Sequence, residues 1–107
     1  MRYEIILSAE AEDDFRDLKA NIRAMVRDAL ERFLRHAPTK TSKSRIKRLR
    51  TMVRPQYRLR VANMRVFYDV TATTVDVLAI VDKADADAWL DRVGERDETG
   101  ATDGSEE

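Results

Sequence analysis

The chain contains no cysteine. Disulfides and thiolate metal sites are therefore excluded, and the composition fits a reducing compartment. Glycine is almost as scarce. There are 3, Gly94, Gly100 and Gly104, so no glycine-rich loop for a nucleotide phosphate stands before position 94. His36 is the single histidine. It makes no metal site without neighbouring ligands, and no Ser-His-Asp set exists. It stands near the end of a helical stretch, where a helix C-terminus favours a cation. No apolar run approaches the roughly 18 residues of a membrane span. Met1-Arg2-Tyr3-Glu4 leads into no long apolar stretch, so this start does not read as a signal peptide. The expectation is a cytoplasmic domain with no cofactor, no metal and no membrane partner. With 107 residues, one domain around one modest core is the natural count.

Acidic residues are also missing, but only from the middle. The chain has 20 Lys/Arg against 20 Asp/Glu and a net charge of zero, yet 12 of the basic residues and no acidic ones fall between Arg32 and Tyr68. Such segregation attracts a polyanion locally while the molecule stays neutral. After Gly94 the composition turns acidic, small and free of aromatics. The expected division is a domain over residues 1–94 and a disordered tail over residues 95–107.

Hydrophobic spacing supplies the elements. Arg2 to Leu7 alternates and then turns apolar, as a strand that becomes buried. Ser8 is a good helix N-cap, with Glu10 and Glu12 in the first turn behind it. Phe15, Leu18, Ile22, Met25, Val26, Ala29, Leu30 and Phe33 recur at three- and four-residue steps. The stripe reads as a helical hairpin, Ala9 to Lys19 and Ile22 to Arg35, turning at Lys19 to Asn21; one bent helix is the alternative. Pro38 stops it. Thr39 to Arg54 is a basic connector without a clean period, anchored by Ile46 and Leu49. Pro55 starts an extended segment. Three strands follow, Tyr57 to Val61, Arg65 to Val70 and Val75 to Val81, close enough for antiparallel hairpins. The last, nearly all apolar, suits a strand buried on both faces. Asp82 to Val93 restarts helical spacing, with Ala84, Ala88, Trp89 and Val93 inward and Gly94 at the C′ position. The order β-α-α-β-β-β-α predicts an α+β fold, an antiparallel sheet with the helices packed on one face.

Alternation then sorts the strand residues. Tyr57, Leu59 and Val61 share one face with Val66, Tyr68 and Val70. Arg58 and Arg60 share the other with Arg65, Phe67 and Asp69. The second face is read as three arginines and an exposed Phe67. Arginine forks bind phosphate, and an aromatic stacks a base, which makes this a surface for single-stranded RNA. Lys43, Arg45, Lys47, Arg48, Arg50 and Arg54 of the connector extend it, with Phe67 as the stacking group. Trp89 reads as a core anchor.

Tyr57-Arg58-Leu59-Arg60-Val61 followed by Met64-Arg65-Val66-Phe67-Tyr68-Asp69-Val70 resembles the RelE/ParE superfamily of bacterial toxins. The opening strand, helical hairpin and basic connector match as well, so the resemblance spans roughly residues 2 to 93. It implies the toxin of a type II toxin–antitoxin pair. In the RelE-like branch, the toxin enters the ribosome and cuts mRNA through attack of a ribose 2′-hydroxyl on the adjacent phosphate. By position, Arg58, Arg60 and Arg65 match basic residues of that catalytic site, and Lys83 is the closest basic residue to a fourth. The implied partners are a cognate antitoxin, in an assembly of the heterotetramer type, and the ribosome with its mRNA. The chain departs from RelE where arginines stand at 58 and 60 in place of lysines. Arginine stays protonated and is a poor general base. Leu90 also occupies the position of a tyrosine or histidine. The alternatives are a ParE-like toxin that poisons DNA gyrase, or a weakened toxin that binds RNA or antitoxin without cutting.

Overall fold

The computed structural model describes residues 1–97. It opens with β1 (Glu4–Leu7), α1 (Ala9–Arg16) and α2 (Ala20–Ala29), which continues as a π-turn over Leu30–Leu34. Then come β2 (Ile46–Arg48), β3 (Met52–Arg54), β4 (Tyr57–Val61), β5 (Met64–Val70) and β6 (Thr74–Asp82). A 3-10 turn (Lys83–Asp85), α3 (Ala86–Val93) and β7 (Glu95–Arg96) close the described chain. The main sheet has the order β1-β6-β5-β4-β2, and β3 pairs with β7 in a separate ribbon. The α+β class holds. The sheet is antiparallel from β6 to β2, but β1 runs parallel to β6, from Glu4 opposite Thr74 to Leu7 opposite Val77.

The helical stripe resolves into two helices. Ser8 caps α1 as its residue type predicts, its Oγ accepting from Ala11 N at 3.0 Å. The turn lies one residue or two earlier than the spacing suggests, because Arg23 closes α1. Its guanidinium donates to the carbonyls of Phe15 (3.3 Å), Arg16 (3.3 Å) and Leu18 (2.7 Å). Those are carbonyls that a helix end leaves without intrahelical partners. Asn21 therefore sits inside α2, whose N-cap is Lys19.

α1 also covers an open sheet edge. β1 accompanies β6 only as far as Val77. Beyond that point Ser8 Oγ donates to Leu78 O and Asp14 Oδ2 accepts from Ile80 N, both at 3.0 Å. Helix side chains thus stand where a strand would, and the edge is not left as a pairing template. At the same place the β5–β6 register shifts, leaving Leu78 as an extra residue on β6. Val75 and Val77 face the helical hairpin before the bulge. After it, Ile80 does, while Ala79 turns to the opposite face.

Two cores result. The larger sets Ala11, Val26, Ala29, Leu30 and Leu34 of the helical hairpin against Leu59, Val61, Val66, Tyr68, Val75 and Val77 of the sheet. The smaller gathers Leu49, Met52, Phe67, Ala79 and Trp89 on the other side. The helical hairpin does pack on one face, but α3 lies against the other, contrary to the expectation that all helices share a face. The 3-10 turn explains which of its residues point inward. Three residues per turn instead of 3.6 shift the phase, so Ala84, Ala88 and Val93 are exposed, while Ala86, Trp89 and Leu90 pack inward. Asp82 caps this turn by accepting from Ala84 N at 2.9 Å.

The connector is more ordered than its pattern. β2 joins the sheet edge, with Ile46 opposite Leu59, and β3 pairs with β7. Glu95 and Arg96, read as the start of the tail, are thus strand residues, and Asp97 N donates to Thr51 O at 2.8 Å. The rest of the expected tail, residues 98–107, lies outside the described residues. Gly94 has an extended backbone (φ −67°, ψ 160°) rather than the left-handed one of a C′ glycine. Its use is spatial: a Cβ there would lie 2.5 Å from Met52 Cε and 2.7 Å from Leu90 O.

Candidate nucleic-acid interface

Register places the three arginines together. Lys47 on β2 lies opposite Arg58 on β4, which lies opposite Phe67 on β5, which lies opposite Ala79 on β6. In the next row on the same face, Arg60 stands opposite Arg65, and Arg65 opposite Val81. Arg58, Arg60 and Arg65 therefore project from one face, away from the larger core, as alternation predicts.

Phe67 must be corrected. It is 1% exposed, and Trp89 of α3 stacks on it with centroids 5.1 Å apart and rings 5° from parallel. A base has no access to that ring. The physical reason is that the face could not leave Phe67 uncovered when α3 carried an unpartnered apolar stripe. Trp89 is itself 3% exposed and donates from Nε1 to Glu10 Oε2 at 2.7 Å. The signal for this pairing was present in the sequence as an aromatic on each of two surfaces that lacked a partner.

The three arginines differ in access. Arg60 is exposed, Arg58 is half-buried with its Nε shielded from solvent, and Arg65 is 8% exposed. Arg65 donates from one terminal nitrogen to Ala62 O (3.1 Å) and Met64 O (2.9 Å). Those bonds brace the β4–β5 turn, where Ala62 has φ 53°, a conformation costly for a residue with a Cβ. Burial lowers the pKa of Arg65, Arg60 adds to that by repulsion, and Asp82 opposes it. Among the described residues, neither Arg60 nor Arg65 forms an ion pair. Lys83 is exposed at the junction of β6 and α3, and its backbone N donates to Asn63 O at 2.7 Å. The β4–β5 turn and the Lys83 backbone thus meet at one end of the sheet.

The connector residues separate. Lys43 and Arg50 are exposed in turns on either side of β2. Lys47 joins the arginine rows. Arg48 belongs to the opposite face, opposite Tyr57, with its guanidinium 5.4 Å from that ring and donating to Gln56 O at 2.9 Å. Arg45 lies over Phe33, 4.6 Å from its centroid. Arg54 is ion-paired to Asp69 at 3.1 Å. Tyr68 is buried, donates to Pro38 O at 2.7 Å and stacks on Tyr57 at 5.5 Å. Both tyrosines therefore belong to the core, as read. His36 Nδ1 lies 3.2 Å from Met1 O, outside the arginine rows.

Chemically, the rows supply fixed positive charge and forked donors, suited to phosphate oxygens. Arginine does not exchange protons near neutrality, so the three arginines provide no acid or base. Lys47, opposite Arg58, is the amine within the rows, and Lys83 stands exposed at the junction of β6 and α3. Among the described residues, no cluster of His, Cys, Asp or Glu could hold a metal ion. No helix among them is long and apolar enough to cross a membrane. A cleft of about 440 Å³ lies elsewhere, between the start of α1, the end of α3 and Arg54–Pro55.

A five-stranded sheet with a helical hairpin on one side and the arginine rows on the other defines an α+β domain, and solved structures share that fold. A chain of the toxin–antitoxin complex RelBE2 from Mycobacterium tuberculosis matches with a TM-score of 0.65 at 23% identity, over 77% of this chain and 99% of that one. A chain of the RelB-RelE antitoxin–toxin complex from Methanococcus jannaschii matches with a TM-score of 0.62 at 17% identity, over 78% and 96%. At such identities the likeness establishes the fold. Residues 5–86 match the family model for the ParE toxin of type II toxin–antitoxin system, parDE, and the chain belongs to that family, within the RelE/ParE superfamily. No curated protein matches the chain at a significant level.

Proposed function

We propose that this toxin arrests translation by engaging mRNA at the ribosome, in the RelE-like manner, and that a cognate antitoxin holds it inactive in the cytoplasm. The observation that carries the reading is the double row Lys47–Arg58 and Arg60–Arg65 on one sheet face. It stands within a span, Arg32 to Tyr68, that contains no carboxylate side chain. In cleavage, the 2′-oxygen attacks the adjacent phosphorus in line and the bond from phosphorus to the 5′-oxygen breaks. The 2′ proton passes to solvent, and the 5′-oxygen takes a proton from Lys83 or from water. Arg60 and Arg58 meet the extra charge on the phosphate oxygens, and Arg65 braces the turn beside them. Cationic donors of this kind contribute on the order of 10²–10³ in rate, whereas the acid–base contribution is small here because arginine cannot supply it.

The antitoxin partner rests on the family and on the two similar chains, each solved with an antitoxin. Acidic side chains of an antitoxin are the natural cover for the arginine rows, and a heterotetramer of two toxins and two antitoxins is the assembly to look for. A ParE-like action on DNA gyrase is the second reading. It is favoured by the matched family model and by the lack of a proton-exchanging group among the three arginines.

Expression without antitoxin separates the two. Translation arrest with mapped mRNA ends supports the first reading, and gyrase-linked DNA breaks with intact mRNA support the second. Arg60 is exposed, so Arg60→Ala is expected to abolish arrest and leave the melting temperature within about 2 °C, in line with a near-neutral surface substitution. Full toxicity of that variant would overturn the assignment.

A further inference from the structure

A second cationic surface lies on the opposite side of the sheet from the arginine rows. Arg32 and Arg45 both place their guanidinium carbons over the Phe33 ring, at 5.5 and 4.6 Å from its centroid. Arg48 does the same over Tyr57 at 5.4 Å. The π-turn over Leu30–Leu34 carries Arg32 and Phe33, and β2 with its preceding turn carries Arg45 and Arg48. All three arginines are exposed, and both rings are half-buried against the larger core. Among the described residues none of the three forms an ion pair. The acids nearest in sequence, Asp28 and Glu31, lie on the same helical segment as Arg32, and Glu31 is engaged by Arg35.

A guanidinium held against a ring loses little mobility on binding. One terminal nitrogen of Arg48 donates to Leu49 O and Gln56 O and one of Arg45 to Arg60 O, and the side chains remain exposed. Because β2 is an edge strand, Lys47 faces the arginine rows while Arg48 faces this second surface. Positive charge therefore passes around the sheet edge from one face to the other. We propose that this edge is a track for an RNA backbone, and that the Phe33 and Tyr57 rings are platforms fixing Arg32, Arg45 and Arg48 for consecutive phosphates. A protein partner would need apolar anchors. The exposed large apolar side chains Met1, Ile6, Met25, Val53 and Val93 of the described residues are not members of this surface, and the clefts at α1 and α3 contain none of its residues. A continuous polyphosphate fits it better than an acidic protein segment. The inference rests on the RNA reading above; Arg45 and Arg48 belong to the connector already read as RNA-binding, while Arg32, Phe33 and Tyr57 are new to it, on the other face of the sheet.

The test is the salt dependence of binding of the full chain to a 20-nucleotide oligouridine. Each phosphate contact on a single strand contributes about 0.7 to the slope of log K against log salt. The variant Arg32→Gln/Arg45→Gln/Arg48→Gln is expected to lower the slope by about 2. Neutralising three cations elsewhere, Arg2, Lys19 and Arg92, is expected to leave the slope unchanged. Phe33→Leu keeps every charge and an apolar side chain; it is expected to weaken binding about tenfold, the scale of a lost stacking platform. An unchanged slope in the triple-arginine variant overturns the proposal, as does equal weakening by the remote variant. Tighter binding to duplex DNA or to polyglutamate than to oligouridine overturns the assignment to RNA. Loss of slope in the triple variant, with gyrase as the cellular target, would retain this surface while refuting the translation reading.

Discussion

Tyr68 Oη donates to Pro38 O at 2.7 Å, its ring lies 5.5 Å from that of Tyr57, and burial pushes its ionisation far above the ordinary range. Tyr68→Phe keeps the stack and leaves the Pro38 carbonyl without this donor. A loss of about 1–2 kcal/mol in urea unfolding is expected, with no loss of toxicity per folded molecule. Asp14 gives a pH signature. Burial raises its pKa, its bond from Ile80 N lowers it, and nearby Glu10 raises it further. A carboxyl raised in the folded state contributes stability below its ordinary pKa and loses that contribution as pH rises through the folded value. Asn retains an acceptor for Ile80 N and carries no charge. Asp14→Asn is therefore expected to melt at or above the parent temperature at pH 7, with the difference declining toward about pH 4. A difference that grows on acidification would contradict this. At this scale the sequence discloses direction better than access. Alternation by twos places Arg58, Arg60 and Arg65 together, but whether a side chain is covered depends on what another element does. Phe67 was misread because its cover, Trp89, lies 22 positions away on α3.

Elements differ in how far their own residues specify them. β4, β5 and β6 are bounded in the structure within a residue of their hydrophobic runs. β2 and β3 are not visible in the pattern, since a three-residue strand with one inward side chain has no period. Its existence is a property of pairing with β4 or β7. The 3-10 turn and the Leu78 bulge are similarly hidden, because each alters phase without leaving a distinctive residue behind. Gly94 can be tested directly. Gly94→Ala pushes a methyl against Met52 and the Leu90 carbonyl, and the second contact is with backbone that cannot move aside cheaply. A loss of about 1–3 kcal/mol is expected, with faster amide exchange in β3 and β7. Trp89→Ala removes the anchor of the smaller core and is expected to cost about 3–5 kcal/mol. It should also increase the accessibility of Phe67, visible as altered aromatic chemical shifts. Arg23→Met removes the donor to the carbonyls of Phe15, Arg16 and Leu18, of which Phe15 O keeps Leu18 N, and is expected to cost about 1–2 kcal/mol, with fraying confined to the end of α1.

At the scale of the whole molecule, charge and topology carry the remaining consequences. Neutrality conceals a cationic middle, and the fold turns that middle into two faces joined around one sheet edge. The parallel pairing of β1 with β6 has a temporal meaning. Glu4 to Leu7 are made first, but among the described residues their one strand neighbour, Thr74 to Val77, belongs to the last but one strand. Contacts this distant in sequence form late, since loop closure must precede them. A nascent chain halted before residue 74 therefore holds an opening strand with nowhere to dock, and protease should cut it freely there. A chain carried past residue 82 should resist. On the proposed function, each round of synthesis is expected to contain an interval in which the product is still unfolded and therefore inactive.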